Sequence, residues 1–559
     1  MPHSQTAMSV KSDIELHVTT PSHGDNTVPT FRTVGGSTKD DEQLQRLGKR
    51  PLLNRGFGFM SILGFSCSAL LSWEGILVTS ISGLLNGGPA GVIWGFLINW
   101  VGTISVYTAL GELASMAPTA GGQYHWVALM APESCGSFLA YMTAWMTTLA
   151  WQALAVSVGY IIATMLQGII VLTNPTYAPE NWHTVLIIWV AGLFAVMVNS
   201  TTSRAIAKFE GVILILHLAG FFGVLIPMVY FAPHNDPAEV FTTFLNTGGW
   251  STQGLSFFVG FPAIAGSLLG ADCAVHMSEE IQHAAIVVPR ALLFTILING
   301  ALAFAMAIAL MFCLSDLDGA LEAAETMYYP FLQIFYSSVR SITGAAIMAC
   351  VVFVLYHCIV FCSPTIFPQV RMAVFSSVGV YASASRMLWS FSRDRGLPFD
   401  RLLVKLTKAA LPVNAILTTL GITVLLSLIV LGSSIALNAL LSLAIAALFS
   451  SYLLVCGLLL WRRTTGAFQP HYNASEVIAP GNLAWGPWKL PEPFGVFNNV
   501  VACLYSILLL FWSFWPQTTP TTPERANWSV LVWGAVVIFS IVWYIVRAKH
   551  YFKGPIKEV

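Results

Sequence analysis

Gly266-Ser267-Leu268-Leu269-Gly270-Ala271-Asp272 stands inside an apolar stretch near 254 to 275, and Ser72-Trp73-Glu74-Gly75 stands inside another near 57 to 83. Both put glycine, hydroxyl and carboxylate groups where a continuous hydrophobic helix would carry none. Small residues taken singly serve close packing between helices. Unwound backbone at membrane depth, by contrast, is tolerated only where it lines a cavity or is buried in protein. The two segments are therefore expected to mark helix breaks.

Outward from these segments, apolar stretches recur near 90 to 111, 137 to 170, 184 to 199 and 211 to 232, then near 291 to 314, 343 to 390 with an interruption, 413 to 431, 434 to 461, 496 to 515 and 528 to 546. About 20 apolar residues cross a hydrocarbon core, so the expectation is about twelve transmembrane helices in an all-α multi-span membrane protein. Of the 559 residues 56% are hydrophobic and 9% charged, against roughly 25% charged in soluble domains, which excludes an ordinary globular protein. Lys plus Arg and Asp plus Glu both number 26. There is no basic excess to neutralise phosphates, and nucleic acid is set aside as a partner. The nine cysteines are odd in number and scattered, with neither a disulfide framework nor a zinc spacing.

The chain divides into a polar tail at 1–50, expected to be disordered and without the apolar core of a signal peptide, a membrane domain at 51–546 and a second tail at 547–559. Within the membrane domain, repeat one covers about 57–232, repeat two about 254–461, and two peripheral helices about 496–546. Lys49, Arg50, Arg55, Arg204, Lys208, Arg290, Arg393, Arg395, Arg401, Lys405, Lys408, Arg462, Arg463, Arg547, Lys549 and Lys553 fall on one side. The other side holds Asp236, Glu239, Asp316, Asp318, Glu322 and Glu325, with Arg340 and Arg525 as exceptions. By the positive-inside rule both termini are cytosolic, which also leaves the sequon at Asn473-Ala474-Ser475 without weight. Glycine-interrupted segments in the first helix of each of two five-helix halves are the sequence pointer to an inverted-repeat secondary transporter. The fold expected is a five-plus-five inverted-repeat bundle with helices 1 and 6 discontinuous.

The run GELASMAPTAGGQYHW, from Gly111 to Trp126, resembles the signature of the amino acid, polyamine and organocation permease superfamily. GADCAVHMSEEIQHAAIVVPR, from Gly270 to Arg290, and SASRMLWSFSRDRGLPF, from Ser383 to Phe399, narrow the resemblance to its fungal amino acid/choline transporter branch, as does the stretch around Asn527-Trp528-Ser529. The resemblance covers essentially everything after residue 50. It implies import of a small amine or amino acid across the plasma membrane or a vacuolar membrane. In the relatives the eighth span runs unbroken to its Ser-x-Ser-Arg end, and joining Cys362 to Ser376 would restore that pattern here. Ser363 to Phe375, with Pro364, Pro368 and Arg371, is therefore expected to be an irregular, dispensable insert, such as a translated intron remnant; a genuine re-entrant or cytosolic loop is the alternative.

Glu74 is a carboxylate in mid-span and a functional-site hypothesis by default. It flanks the expected break in helix 1 and is a candidate partner for a substrate ammonium, with Ser72, Trp73 and Gly75 beside it. Gly266, Ser267, Leu268 and Gly270 form the matching substrate-binding set in helix 6. Asp272 closes that break at the position where superfamily members carry an acidic residue, and is expected to hold a coupling proton; the structural alternative is a cap or ion pair. His217 in the fifth span could join the coupling, because in this superfamily that helix can place a basic group against the first and an imidazole exchanges protons in the physiological range. Gln152 could bond substrate, and Trp73 could stack on a cation. Glu112, Gly121, Gly122 and Arg386 are expected at a cytosolic gate, where opposite charges pair when the path is shut. Glu279, Glu280, His276 and His283 read as decoration of a solvated loop, since they lack a closed metal-ligand set.

The function expected is a secondary active transporter of a small amine or amino acid (amino acid, GABA, choline or polyamine), with H+ as coupling ion, lipid as surroundings, and no cofactor or metal. Sodium coupling or exchange on the same fold is the alternative. A receptor or channel fits less well, for seven helices cannot absorb twelve spans and no repeated polar filter segment is present. An enzyme would need clustered catalytic groups at membrane depth, and ATP drive would need a phosphate-binding glycine loop.

Overall fold

The computed structural model describes residues 38–200, 203–356, 376–432, 436–470, 478 and 480–558. The Ser363 to Phe375 expectation lies outside the described residues. Lipid offers the backbone no hydrogen-bond partner, so each span must satisfy its own N–H and C=O groups as helix. The chain accordingly is a helical bundle, and among the described residues the only named strands are the paired two-residue segments Phe468–Gln469 and Leu483–Ala484.

Among the described residues nine helices are long and apolar enough to cross a membrane, and the longest, Phe59–Met116, holds two spans. Gly88 at φ +66°, followed by Pro89, ends the first and starts the second. A Cβ on Gly88 would lie 2.9 Å from the Leu245 nitrogen and the Thr243 oxygen, so only glycine fits this corner. Two shorter apolar helices, Gln253–Leu268 and Ile342–Tyr356, belong to the sixth and eighth spans. The eighth resumes at Ser376–Arg393. Counting the two shorter helices, and Phe59–Met116 as two, gives twelve spans among the described residues, with Phe494–Trp512 and Ser529–Trp543 last in order.

The core is built around the first and sixth spans. The seventh span, Ala284–Phe312, packs along the first two, and the tenth, Ala436–Thr464, lies between the third, Gly136–Thr173, and the eleventh. Residues that follow odd and even spans alternate between two ends. At one end the Phe57 and Ile281 backbones bridge and Arg55 donates to the Ile281 oxygen at 2.9 Å. At the other, Thr247 and Leu85 bond, and Asn86 donates to the Gln517 oxygen at 3.0 Å. The first end, which carries residues 38–58 and 549–558, is called the tail face below.

One tail expectation needs correction within the described part of residues 1–50. Residues Thr38–Arg46 form a helix rather than a disordered segment. Leu44, Leu47 and Lys49 are buried, because the segment has apolar residues at helical spacing and the tail face offers a surface that buries them. At the other terminus, residues 552–558 fold back onto the same face, with Phe552 fully buried.

Candidate functional site

The first span breaks at Leu71. The helix Phe59–Leu70 ends there with Leu71 in the left-handed region at φ 44°, ψ 51°, and a new helix begins at Ser72. A leucine in this conformation costs about 1–2 kcal/mol, and such strain concentrates at functional sites. The break thus precedes Ser72-Trp73-Glu74-Gly75, which form the first turn of the second half-helix rather than an unwound segment. The N–H groups of Ser72, Trp73 and Glu74 precede the first helical acceptor, and the Gly75 nitrogen donates to the Leu71 oxygen at 2.7 Å.

The sixth span breaks more widely. Gln253–Ala265 gives way to a single tight turn at Gly266–Leu268, then to extended Leu269 and to Gly270 at φ +116°, before Cys273–His276 resumes the helix. Tyr107, from the second span, holds the opening. Its hydroxyl donates to the Leu268 oxygen at 3.2 Å and accepts from the Gly270 nitrogen at 3.3 Å. Two backbone groups that unwinding would leave bare are thereby satisfied.

The breaks face each other closely. A Cβ on Gly75 would lie 3.1 Å from the Ser267 Cα and Cβ. Beside this contact is a cavity of about 50 Å3 lined by residues that include Leu71, Gly75, Gly266, Ser267, Gly270 and Tyr356. No charged side chain lines it among the described residues. Three of its hydroxyls are turned to their own helices: Thr79 donates to the Gly75 oxygen, Ser157 to the Ala153 oxygen and Ser267 to the Ile264 oxygen, whereas the buried Ser376 hydroxyl has no hydrogen-bond partner. What remains to greet a ligand is backbone at two helix ends, the Ser376 hydroxyl and the side chain of Tyr356.

The carboxylates sit behind this wall, not on it. Glu74 is fully buried, and its Oε1 lies 2.8 Å from His217 Nδ1, while Glu74 Oε2 and His217 Nε2 have no hydrogen-bond partner. Trp73, likewise buried, has its ring 6.0 Å from His217 and 5.9 Å from Phe221. Asp272 is fully buried near Tyr452, accepts from Gln123 Nε2 at 2.9 Å, and has His276 Nε2 at 3.9 Å. Gln123 reaches it because Gly122, at φ +50°, starts its helix so near the sixth span that a Cβ there would meet Val275 at 2.7 Å.

Several sequence expectations change here. Ser72, Trp73 and Glu74 are buried beside the cavity but do not line it, since the helix turn after Leu71 aims them away from it, and Leu268, at the end of the single turn in the sixth span, is likewise buried and off the lining. Gln152 donates to Thr419 at 3.3 Å, between the third and ninth spans, and does not line the cavity either. Glu112 pairs not with Arg386 but with Arg463, which grips both its oxygens at 2.6 and 2.9 Å. The Leu490 nitrogen adds a third bond. His276, Glu279 and Glu280 are buried, not solvated; only His283 is exposed. Arg393 Nη1 donates to Glu279 at 2.9 Å and Arg386 Nε to Glu280 at 3.0 Å, tying the sixth span to the eighth. Beside them Lys49 meets Asp394 at 2.5 Å and Tyr124 donates to Asp394 at 2.7 Å.

Buried, charge-assisted pairs of this kind carry directional strength. They lie at the tail face. Sequence reading missed Tyr107, Gln123, Lys49 and Asp394; Asp394 lies inside the SRDRG run already singled out, and an aspartate between two arginines was the available signal.

Two broken helices meeting across a small cavity, with polar pairs buried near it, define a membrane transport protein with discontinuous helices. The sequence profile of the amino acid permease family matches residues 57–536, and the chain belongs to that family. It is 29% identical over 505 residues to the choline transporter of Saccharomyces cerevisiae, covering 89% of this chain and 83% of that one. It is similar, at 28% over 538 residues, to an uncharacterized amino-acid permease of Schizosaccharomyces pombe, covering 94% and 89%. Amino-acid permease 2 of Neurospora crassa is 24% identical over 543 residues, covering 96% and 93%. The protein is thus an integral membrane transporter and not an enzyme.

Proposed function

We propose that the chain imports a small amino acid or related amine by proton symport, with the substrate in the cavity between the two breaks. The observation that carries this reading is the pairing of Glu74 with His217 directly behind that cavity, each with one buried polar atom left without a partner. A carboxylate and an imidazole sharing one hydrogen bond can take up a proton without creating an isolated charge in a dry interior. Asp272 supplies a second proton-accepting group on the other broken helix.

Substrate recognition rests on backbone together with the unpartnered Ser376 hydroxyl. A carboxylate suits the free N–H groups at the start of the Ser72 half-helix, and an ammonium suits the carbonyls that end Phe59–Leu70 and Gln253–Ala265, with Tyr356 offering its ring face. Glu74 then acts on the ammonium through its field and not by direct contact. In this reading Glu279–Arg393, Glu280–Arg386 and Lys49–Asp394 form the inner gate, the tail face and both termini are cytosolic, and Gly121, Gly122 and the Glu112–Arg463 pair brace the gate. The repeats at about 57–232 and 254–461 supply one break each. Plasma-membrane residence suits import, and a vacuolar membrane serves the same chemistry.

The test is uptake of labelled GABA, choline, putrescine, lysine and alanine in a permease-deficient cell at pH 5 and pH 7.5, with and without a protonophore. Uptake of at least one compound rises at pH 5 and collapses with the protonophore. Sodium-dependent uptake insensitive to pH would overturn proton coupling and leave the transporter standing.

A further inference from the structure

The chain after Lys549–Tyr551 turns back across the tail face instead of leaving it. The Phe552 ring packs 5.3 Å from Tyr141 of the third span and 5.9 Å from Phe391 of the eighth. The Ile556 nitrogen donates to Asp394 Oδ1 at 2.9 Å, the carboxylate that also holds Lys49. Glu558 is the most connected residue of the segment. Its oxygens accept from Arg393 Nε at 2.6 Å and Nη2 at 2.5 Å, and from the Arg50 nitrogen at 2.9 Å. Its own nitrogen donates to the Gly48 oxygen at 2.6 Å, and Arg50 Nε donates to the Glu558 oxygen at 2.9 Å. Burial would raise the Glu558 carboxyl, yet the bonds and charge of Arg393 bring it below the ordinary carboxylate value, so it is ionised in place.

The segment therefore bonds at once to residues 48–50, which lead into the first span, and to Arg393 and Asp394 at the end of the eighth. Opening a path on this face requires one part of the bundle to move against another, and the parts that this segment ties together are the lead-in to the first span and the end of the eighth. Residues 552–558 cannot keep both sets of contacts through that movement. We propose that this segment is a further part of the inner gate, with Glu558 a positioning residue that holds Arg393 against Glu279 and the leading segment against the eighth span while the gate is shut. This rests on the transport reading above.

The test is a reversible lock. A Cβ on Gly48 would lie 3.3 Å from the Lys557 Cβ, close to the roughly 3.5–4.5 Å of a disulfide. In the full chain carrying Gly48→Cys and Lys557→Cys, uptake of the panel compound carried best is measured reduced, oxidised and re-reduced. Oxidation lowers uptake at least tenfold and reductant restores it; a chain shown to be cross-linked that transports at its reduced rate would overturn the proposal. Uptake by the reduced chain is the reference that carries the transport reading, so the two failures are distinguishable. Independently of that pair, Glu558→Gln raises the external KM threefold or more at an unchanged surface level, and Glu558→Asp recovers at least half of the effect. An unaltered KM in Glu558→Gln would equally sink the role given to Glu558.

Discussion

The two broken helices are alike in pattern and unlike in construction. The first span breaks at one strained residue, Leu71, and its carboxylate is served by a base from another span, His217. The sixth unwinds over several residues, borrows the Tyr107 hydroxyl to satisfy its backbone, and presents Asp272 to an amide, Gln123. A narrow break with a titratable partner suits a group whose charge must change during the cycle. A wide break held by neutral hydrogen bonds suits a hinge whose carboxylate is fixed in place by geometry. The difference teaches that internal symmetry of sequence need not mean symmetry of work.

The sharpest way to break this comparison is Glu74→Gln. The amide keeps the shape and can still meet His217, but it cannot carry the charge or the proton. Uptake is expected to fall about twentyfold or more in kcat/KM, roughly 1.8 kcal/mol, with surface expression within a factor of two of the parent; normal uptake would make Glu74 a structural residue. Asp272→Asn should act less severely. Its expected mark is about a fivefold loss together with a flatter response between pH 5 and pH 7.5. If the response instead keeps its full steepness, Glu74 and His217 alone carry the proton and the asymmetry is greater than drawn. The smallest effect belongs to Tyr107→Phe, which leaves two buried backbone groups of the sixth span unpaired at about 1–3 kcal/mol. Part of that cost falls on the open and closed forms alike, so apparent KM should rise about threefold, measured by initial rates, with maximal rate little altered; an unchanged KM would show that the wide break holds itself.

Much of the architecture was legible because a membrane imposes one-dimensional rules: a run of about 20 apolar residues, helix throughout, and polar or glycine interruptions only where protein encloses them. Those rules located the spans, the break at 266–272 and the mid-span carboxylates. They misplaced the charged segments at the tail face. Glu279 and Glu280 read as solvated because unpaired carboxylates belong in water; their partners Arg393 and Arg386 stand 114 and 106 residues further on. The same holds for Glu112, whose partner Arg463 is 351 residues away, and for a C-terminal segment that reads as a tail until Arg50, Arg393 and Asp394 are assembled beneath it.

What the sequence by itself determined is therefore the class of fold, the number of spans and which residues cannot face lipid, since each follows from the cost of moving a local stretch of chain into hydrocarbon. Only the tertiary structure decided which of those residues face the cavity and which stand behind it, that Glu74 meets His217 across 143 positions, and that the tail-face charges are buried in pairs. The physical reason is that burial of an ionised group is set by its partner, and the partner is supplied by packing between distant spans, which no local pattern records.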